Sequence, residues 1–149
     1  MSQTLLTNKR ATFDYEIQER FTAGIVLVGK EVKSLKNKRG KLDGSYAYIQ
    51  KEEIFILNFD IPEYQAKNTM GTVESGRTRK LLLKRKDINY LTGKLNEKGF
   101  SLVPLKVFTS KGKIKLELGL GKGKTKIDKR ETIKKREARR DLAREGIKF

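Results

Sequence analysis

Tyr15-Glu16-Ile17-Gln18-Glu19-Arg20-Phe21 alternates apolar and polar side chains, and Ile25-Val26-Leu27-Val28 follows it after Thr22-Ala23-Gly24. A period of two lines alternate residues along one face of a pleated chain, so the first stretch predicts a half-buried strand. The second reads as a more fully buried strand. A glycine inside such a pattern marks a bend or bulge between them. Further along, Val32 and Leu35 are three residues apart, and Gly29–Leu35 fits a helix of one or two turns better than a strand. Lys36 to Gly44 is a basic loop. Ser45–Gln50 and Ile54–Phe59 are two strands separated by Lys51-Glu52-Glu53, a connection short enough for a hairpin. Pro62 ends the second of them.

From Glu63 to Gly76 the chain has no period and reads as a long loop of the kind that often carries function. Arg77-Thr78-Arg79-Lys80-Leu81-Leu82-Leu83 leads into a helix over Asp87–Lys98, where Ile88, Leu91 and Leu95 recur at helical spacing and Gly99 stands at C′. Ser101–Phe108 and Lys113–Leu118 form a second hairpin through Ser110-Lys111-Gly112. The predicted class is mainly β with short helices (α+β). About six strands in antiparallel hairpins suggest an oligonucleotide-binding-type barrel, because closure removes exposed edges. The expected division is a flexible basic arm over 1–12, a β-barrel RNA-binding domain over 13–120 and a basic tail over 121–149.

The charge is lopsided. Thirty-five Lys and Arg against eighteen Asp and Glu leave +17, and the pI is near 10.1. Residues 121–149 hold twelve basic and five acidic side chains, so the tail contributes +7 of that total. A basic domain with a more basic tail is the footprint of a phosphate-backbone binder. The tail lacks the aliphatic and aromatic face that membrane-surface binding needs. No stretch approaches the ~20 apolar residues of a membrane span, and Met1–Arg10 has no signal-peptide core. The absence of cysteine excludes disulfides and thiolate metal sites and fits a cytoplasmic address. With no histidine, imidazole catalysis, triads and His–metal ligation are excluded as well. Acidic residues mostly alternate with Lys or Arg, as in Lys115-Leu116-Glu117, which describes a solvated face. Gly119-Leu120-Gly121-Lys122-Gly123-Lys124 lacks the spacing and hydroxyl of a P-loop and reads as a flexible hinge with phosphate-seeking lysines. The expectation is a monomeric, non-enzymatic binder that needs no cofactor.

Arg77-Thr78-Arg79-Lys80 places three cations around one hydroxyl, a set suited to a bent sugar-phosphate backbone. Asn8-Lys9-Arg10 and Lys33-Ser34 offer the same donors more weakly. Tyr46, Tyr48, Phe55 and Phe59, at alternate strand positions, read as core, with base-stacking faces as the alternative. In the tail, Asp128 and Glu131 are spaced as a capping box, and Glu131 with Lys135 forms a favourable i,i+4 pair. Arg136, Arg139, Arg140 and Arg144 would then wind as a cationic ribbon, with helix forming on binding.

Several of these segments, in this order, resemble one family. They are Asn8-Lys9-Arg10-Ala11 with Asp14-Tyr15; Ala23-Gly24-Ile25; Glu31-Val32-Lys33-Ser34-Leu35; Asp43-Gly44-Ser45-Tyr46; Arg77-Thr78-Arg79-Lys80-Leu81-Leu82-Leu83; Leu102-Val103-Pro104-Leu105; Gly121-Lys122-Gly123-Lys124; and Asp128-Lys129-Arg130-Glu131. The chain resembles small protein B, the SsrA-binding proteins that partner transfer-messenger RNA in bacterial trans-translation. The resemblance implies an oligonucleotide-binding-type barrel that binds the tRNA-like domain of that RNA. It also implies a tail, disordered when free, that turns helical in the vacant mRNA channel near the small-subunit decoding centre and its 16S rRNA. Elongation factor Tu joins indirectly through the charged RNA. On this resemblance Asn8, Lys9, Arg10, Lys33, Ser34, Arg77, Arg79, Lys80, Lys122 and Lys124 are the expected RNA-facing residues. Ile127, Asp128, Lys129, Arg130, Lys134, Arg136, Arg139 and Arg140 are the expected ribosome-binding set. Some members have a histidine where this chain has Ile127, and another where it has Phe13.

Overall fold

In the computed structural model, residues 2–62, 75–124, 129–130, 133–134 and 136–138 are described. The opening alternation becomes β2 (Tyr15–Ile25), one continuous strand through Thr22-Ala23-Gly24 rather than two. Its partner is β7 (Lys113–Gly123), paired antiparallel from Tyr15↔Gly123 to Gly24↔Lys115, with a shift in register between Ile17 and Glu19. The far end of β2 passes to β5 (Arg79–Leu82) through Gly24↔Leu82 and Ile25↔Leu81. From β5 the pairing continues to β4 (Glu53–Leu57), then to β3 (Tyr46–Gln50). β3 meets β6 (Phe100–Ser110) at Ala47↔Leu102, and β6 returns to β7 along its length. The result is a near-closed ring of six antiparallel strands, in the order β6-β3-β4-β5-β2-β7. A seventh, β1 (Gln3–Thr7), lies against β6 opposite Lys106–Thr109.

The ring is filled by apolar side chains from the strands, among them Ile54, Ile56, Leu81, Leu102, Leu116, Leu118 and Leu120, together with Phe59 from the chain that follows β4. Leu35 from α2 (Gly29–Lys36) and Ile88 and Leu91 from α3 (Arg85–Leu95) join that core. A smaller cluster of Ala11, Val103 and Leu105 sits under α1 (Lys9–Asp14), with Tyr15 and Ile17 packed on it.

Four expectations change. The supposed flexible arm contains β1 and α1: Leu5 is buried in the core and Ala11 in the smaller cluster. Arg77–Leu83 does lead into a helix, α3, but it also contains an unexpected strand, Arg79–Leu82, which joins β4 to β2. The long helix ends at Leu95 with Asn96 as C-cap, so Gly99 (φ +87°) is not its C′ residue and instead turns the chain into β6. Gly121 and Gly123 are not a hinge. They lie inside β7, and a Cβ on Gly121 would stand 2.6 Å from the Glu16 carbonyl oxygen. Glycine is required there because the paired strands β2 and β7 approach too closely, beside the register shift, for any side chain.

Candidate nucleic-acid interface

Glu31 lies in the first turn of α2, one of the least exposed residues in the chain at 1%. Its Oε1 accepts from the Val28 backbone N–H (3.0 Å) and from Arg77 Nη2 (2.6 Å). Its Oε2 accepts from Arg79 Nε (2.8 Å) and from Arg79 Nη2. Arg79, 0% exposed, also donates through Nη1 to the Phe59 and Arg77 carbonyls and through Nη2 to the Ser75 carbonyl. All five guanidinium N–H positions therefore have an acceptor, which is what a buried arginine requires. Burial pushes the Glu31 carboxyl up. The Val28 N–H and the Arg79 and Arg77 hydrogen bonds outweigh it and hold the carboxyl below its usual value. Next to this cluster, the buried Ser34 hydroxyl donates to the Pro62 carbonyl, and Ile61 N–H to the Ser75 carbonyl (2.9 Å). Helix α2 is thus bolted to both β5 and the chain that follows β4.

This geometry splits the expected RNA-facing set. Arg79, Ser34 and Asn8 are buried. Asn8 donates from Nδ2 to the Pro104 carbonyl (2.9 Å). These three hold the frame: Arg79 is spent on Glu31 and backbone carbonyls, Ser34 on Pro62 and Asn8 Nδ2 on Pro104, while Asn8 Oδ1 has no partner among the described residues. Arg77 is intermediate, 27% exposed beside Glu31. Lys9, Arg10, Lys33, Lys80 and Lys122 are exposed. Of these, Arg10 reaches Asp14 (3.2 Å), Lys80 reaches Glu53 (3.4 Å), and Lys122 lies over the Phe100 ring (4.9 Å). Lys124 Nζ donates to the Thr12 carbonyl (3.0 Å).

Beyond β7 and Lys124, the described tail residues 129–130, 133–134 and 136–138 are helical, and Lys129 and Arg136 come back to α1. Lys129 Nζ sits 3.3 Å from Asp14 Oδ1, and Arg136 Nη2 donates to Thr12 Oγ1 (3.3 Å). Arg10, Lys129 and Arg136 all lie over the Phe13 ring, at 5.3, 5.7 and 5.9 Å. Arg130 and Lys134 are exposed. Ile127, Asp128, Arg139 and Arg140, and the 63–74 stretch of the expected functional loop, lie outside the described residues.

Sequence reasoning missed Glu31, although an acid three residues after the helix-preceding Val28 is half of a capping box and could have drawn attention. It singled out Phe13 and Asp14 as family positions but missed that they and Thr12 form a surface that receives Lys129 and Arg136. Among the described residues there is no group of acidic side chains that could hold a metal ion, and no helix long and apolar enough to cross a membrane.

The family described as SmpB protein matches residues 5–148. The SsrA-binding protein of Syntrophobacter fumaroxidans is 47% identical over 143 residues, 96% of this chain and 88% of its own length. That of Geobacillus kaustophilus is 46% identical over 142 residues, covering 95% and 91%. A solved chain described under "tmRNA-SmpB: a journey to the center of the bacterial ribosome" is 42% identical and superimposes with a TM-score of 0.68, covering 81% of this chain and 85% of its own. The order and spacing of the motifs, the ring of strands and these identities agree, and the chain belongs to the SmpB family.

Proposed function

We propose that this chain is a non-enzymatic RNA-binding protein that binds SsrA RNA, the transfer-messenger RNA, and acts with it on the ribosome in trans-translation. The observation that carries the reading is membership of a family whose relatives are SsrA-binding proteins, joined to a +17 chain whose exposed cations are held on a rigid frame. In this reading the ring of strands is an oligonucleotide-binding-type barrel that takes the tRNA-like domain. Lys9, Arg10, Lys33, Lys80 and Lys122 meet phosphates, while Glu31, Ser34 and Arg79 fix the surface that carries them. The site is set in the cytoplasm, and elongation factor Tu joins through the charged RNA.

The tail has the second task. Its described contacts with α1 are exposed cation–π and ion-pair contacts, each worth only ~0.5–1 kcal/mol. They are weak enough for the chain beyond β7 to open when free and to be stripped by a denser source of phosphate. The tail then becomes helical in the vacant mRNA channel beside the decoding centre, with Asp128, Lys129 and Arg130 at its start and Lys134, Arg136, Arg139 and Arg140 along it.

Replacing Asp128, Lys129 and Arg130 together with alanine tests the division. Affinity for the tRNA-like RNA is expected to stay within about twofold, and peptide tagging on stalled ribosomes to be lost. Parallel loss of both would show that one surface does both jobs. A competition between tRNA-like RNA and unstructured RNA of equal length excludes a general single-strand chaperone if the structured RNA wins.

A further inference from the structure

A cavity of about 870 Å³ opens between α1, β3, the end of α3 and the start of β6. It lies in the ~300–1,000 Å³ range of small-ligand sites. Four aromatic residues line it: Tyr15; Tyr46, 45% exposed; Tyr48, whose ring stacks on Phe55; and Phe100. Its charged lining is Arg10, paired with Asp14 (3.2 Å), and Asp43, and beyond the lining Lys94 and Lys122 lie over the Phe100 ring at 5.5 and 4.9 Å. Asn96 adds an amide at the edge. Asn8, 5% exposed, also lines the cavity; its Oδ1 is buried with no hydrogen-bond partner among the described residues, while its Nδ2 is committed to Pro104.

Each feature has a counterpart in one ligand. Aromatic faces at the edge of a cationic groove are how proteins hold an unstacked base between its phosphates. A buried acceptor without a donor is costly, and an exocyclic base amine can supply one. An apolar peptide would leave the cations and the amides unmatched. A free anion would leave the aromatic faces unused.

We propose that this groove seats a single unstacked nucleobase of bound RNA, stacked against Tyr46, with the flanking phosphates on Arg10 and on Lys94 and Lys122 over Phe100. The site rests on the RNA-binding reading above and adds what that reading lacks, a place for a base. The same chemistry can come from an unpaired base of the tRNA-like RNA or from one of small-subunit ribosomal RNA.

The test uses the full chain and a short single-stranded RNA carrying one 2-aminopurine, with its fluorescence followed on titration. Binding is expected to quench the emission. Tyr46→Ala should weaken probe binding about tenfold, toward the lower end of what stacking on an aromatic contributes. Tyr46→Phe should bind as the parent does, since the ring and not the hydroxyl carries the contact, and thermal melts followed by circular dichroism confirm that both variants fold. Displacement of the probe by an unlabelled tRNA-like hairpin or by a decoding-region ribosomal hairpin assigns the base to whichever acts at the lower concentration. The proposal fails if emission is unchanged, if Tyr46→Ala binds like the parent, if Tyr46→Phe is as weak as Tyr46→Ala, or if neither hairpin displaces. RNA binding that ignores Tyr46 sinks the groove alone; absence of binding to every RNA tried sinks the RNA-binding reading itself.

Discussion

A carboxylate and a guanidinium that are both out of water are worth having only while they have each other. Glu31→Ala leaves the Arg79 charge buried and unopposed, so it is expected to lower unfolding free energy by about 3–5 kcal/mol in urea titrations. The same cluster predicts a pH dependence. The Glu31 carboxyl is held below its ordinary value of 4.5, so its contribution to stability is fully present above that value. It is lost as pH falls from 4.5 through the lower folded value, because the unfolded chain takes up the proton first. Urea midpoints of the parent protein should therefore drop on acidification through this window, and Glu31→Gln should flatten that part of the slope. Arg79 shows why residue-scale reading misled. In Arg77-Thr78-Arg79-Lys80 nothing local separates the arginine that faces inward from the lysine that faces out; only the pleat of β5, with Arg79 and Leu81 buried and Lys80 and Leu82 exposed, makes the distinction.

At the scale of elements, the long alternating or well-spaced segments were legible, and the short ones were not. β2, the β3–β4 hairpin, α3 and the β6–β7 hairpin all follow from period and turn spacing. β5 is four residues with a leucine run, too short for periodicity to show, and β1 is polar on its exposed positions. The β3–β4 turn adds a prediction of its own. Gln50 pairs with Glu53, so Lys51 and Glu52 form a two-residue loop, and both have positive φ, 50° and 63°. Asn-Gly is the pair that suits two left-handed positions. Replacing Lys51-Glu52 with Asn-Gly should raise stability by about 1 kcal/mol, read as a rise of ~2–4 °C in Tm. The Arg85–Glu52 ion pair lost in the exchange is exposed on both sides and subtracts little.

The whole molecule is organised by its charge. With cations displayed on the surface and only three of the expected contacts buried, RNA affinity should fall linearly in a plot of log K against log salt. Lys9→Ala combined with Arg10→Ala should reduce that slope by about 1.4–1.8, at ~0.7–0.9 per phosphate contact, measured by filter binding across salt concentrations. Ser34→Ala should leave the slope unchanged, because its hydroxyl is tied to Pro62 and meets no phosphate. The sequence by itself determined the β-rich class, the basic core with its more basic tail, the exclusion of histidine and cysteine chemistry, and the family motifs, since composition and short-range spacing are local properties. Tertiary structure alone decided which motif residues face solvent, because Glu31 lies 48 positions from Arg79 and Asn8 lies 96 from Pro104, separations at which only the closed ring of strands brings partners together. It also turned Gly121 from a hinge into a point of close approach between paired strands and brought Tyr46, Phe100 and Asn8 around one cavity, arrangements set by packing between distant strands that no stretch of chain encodes alone.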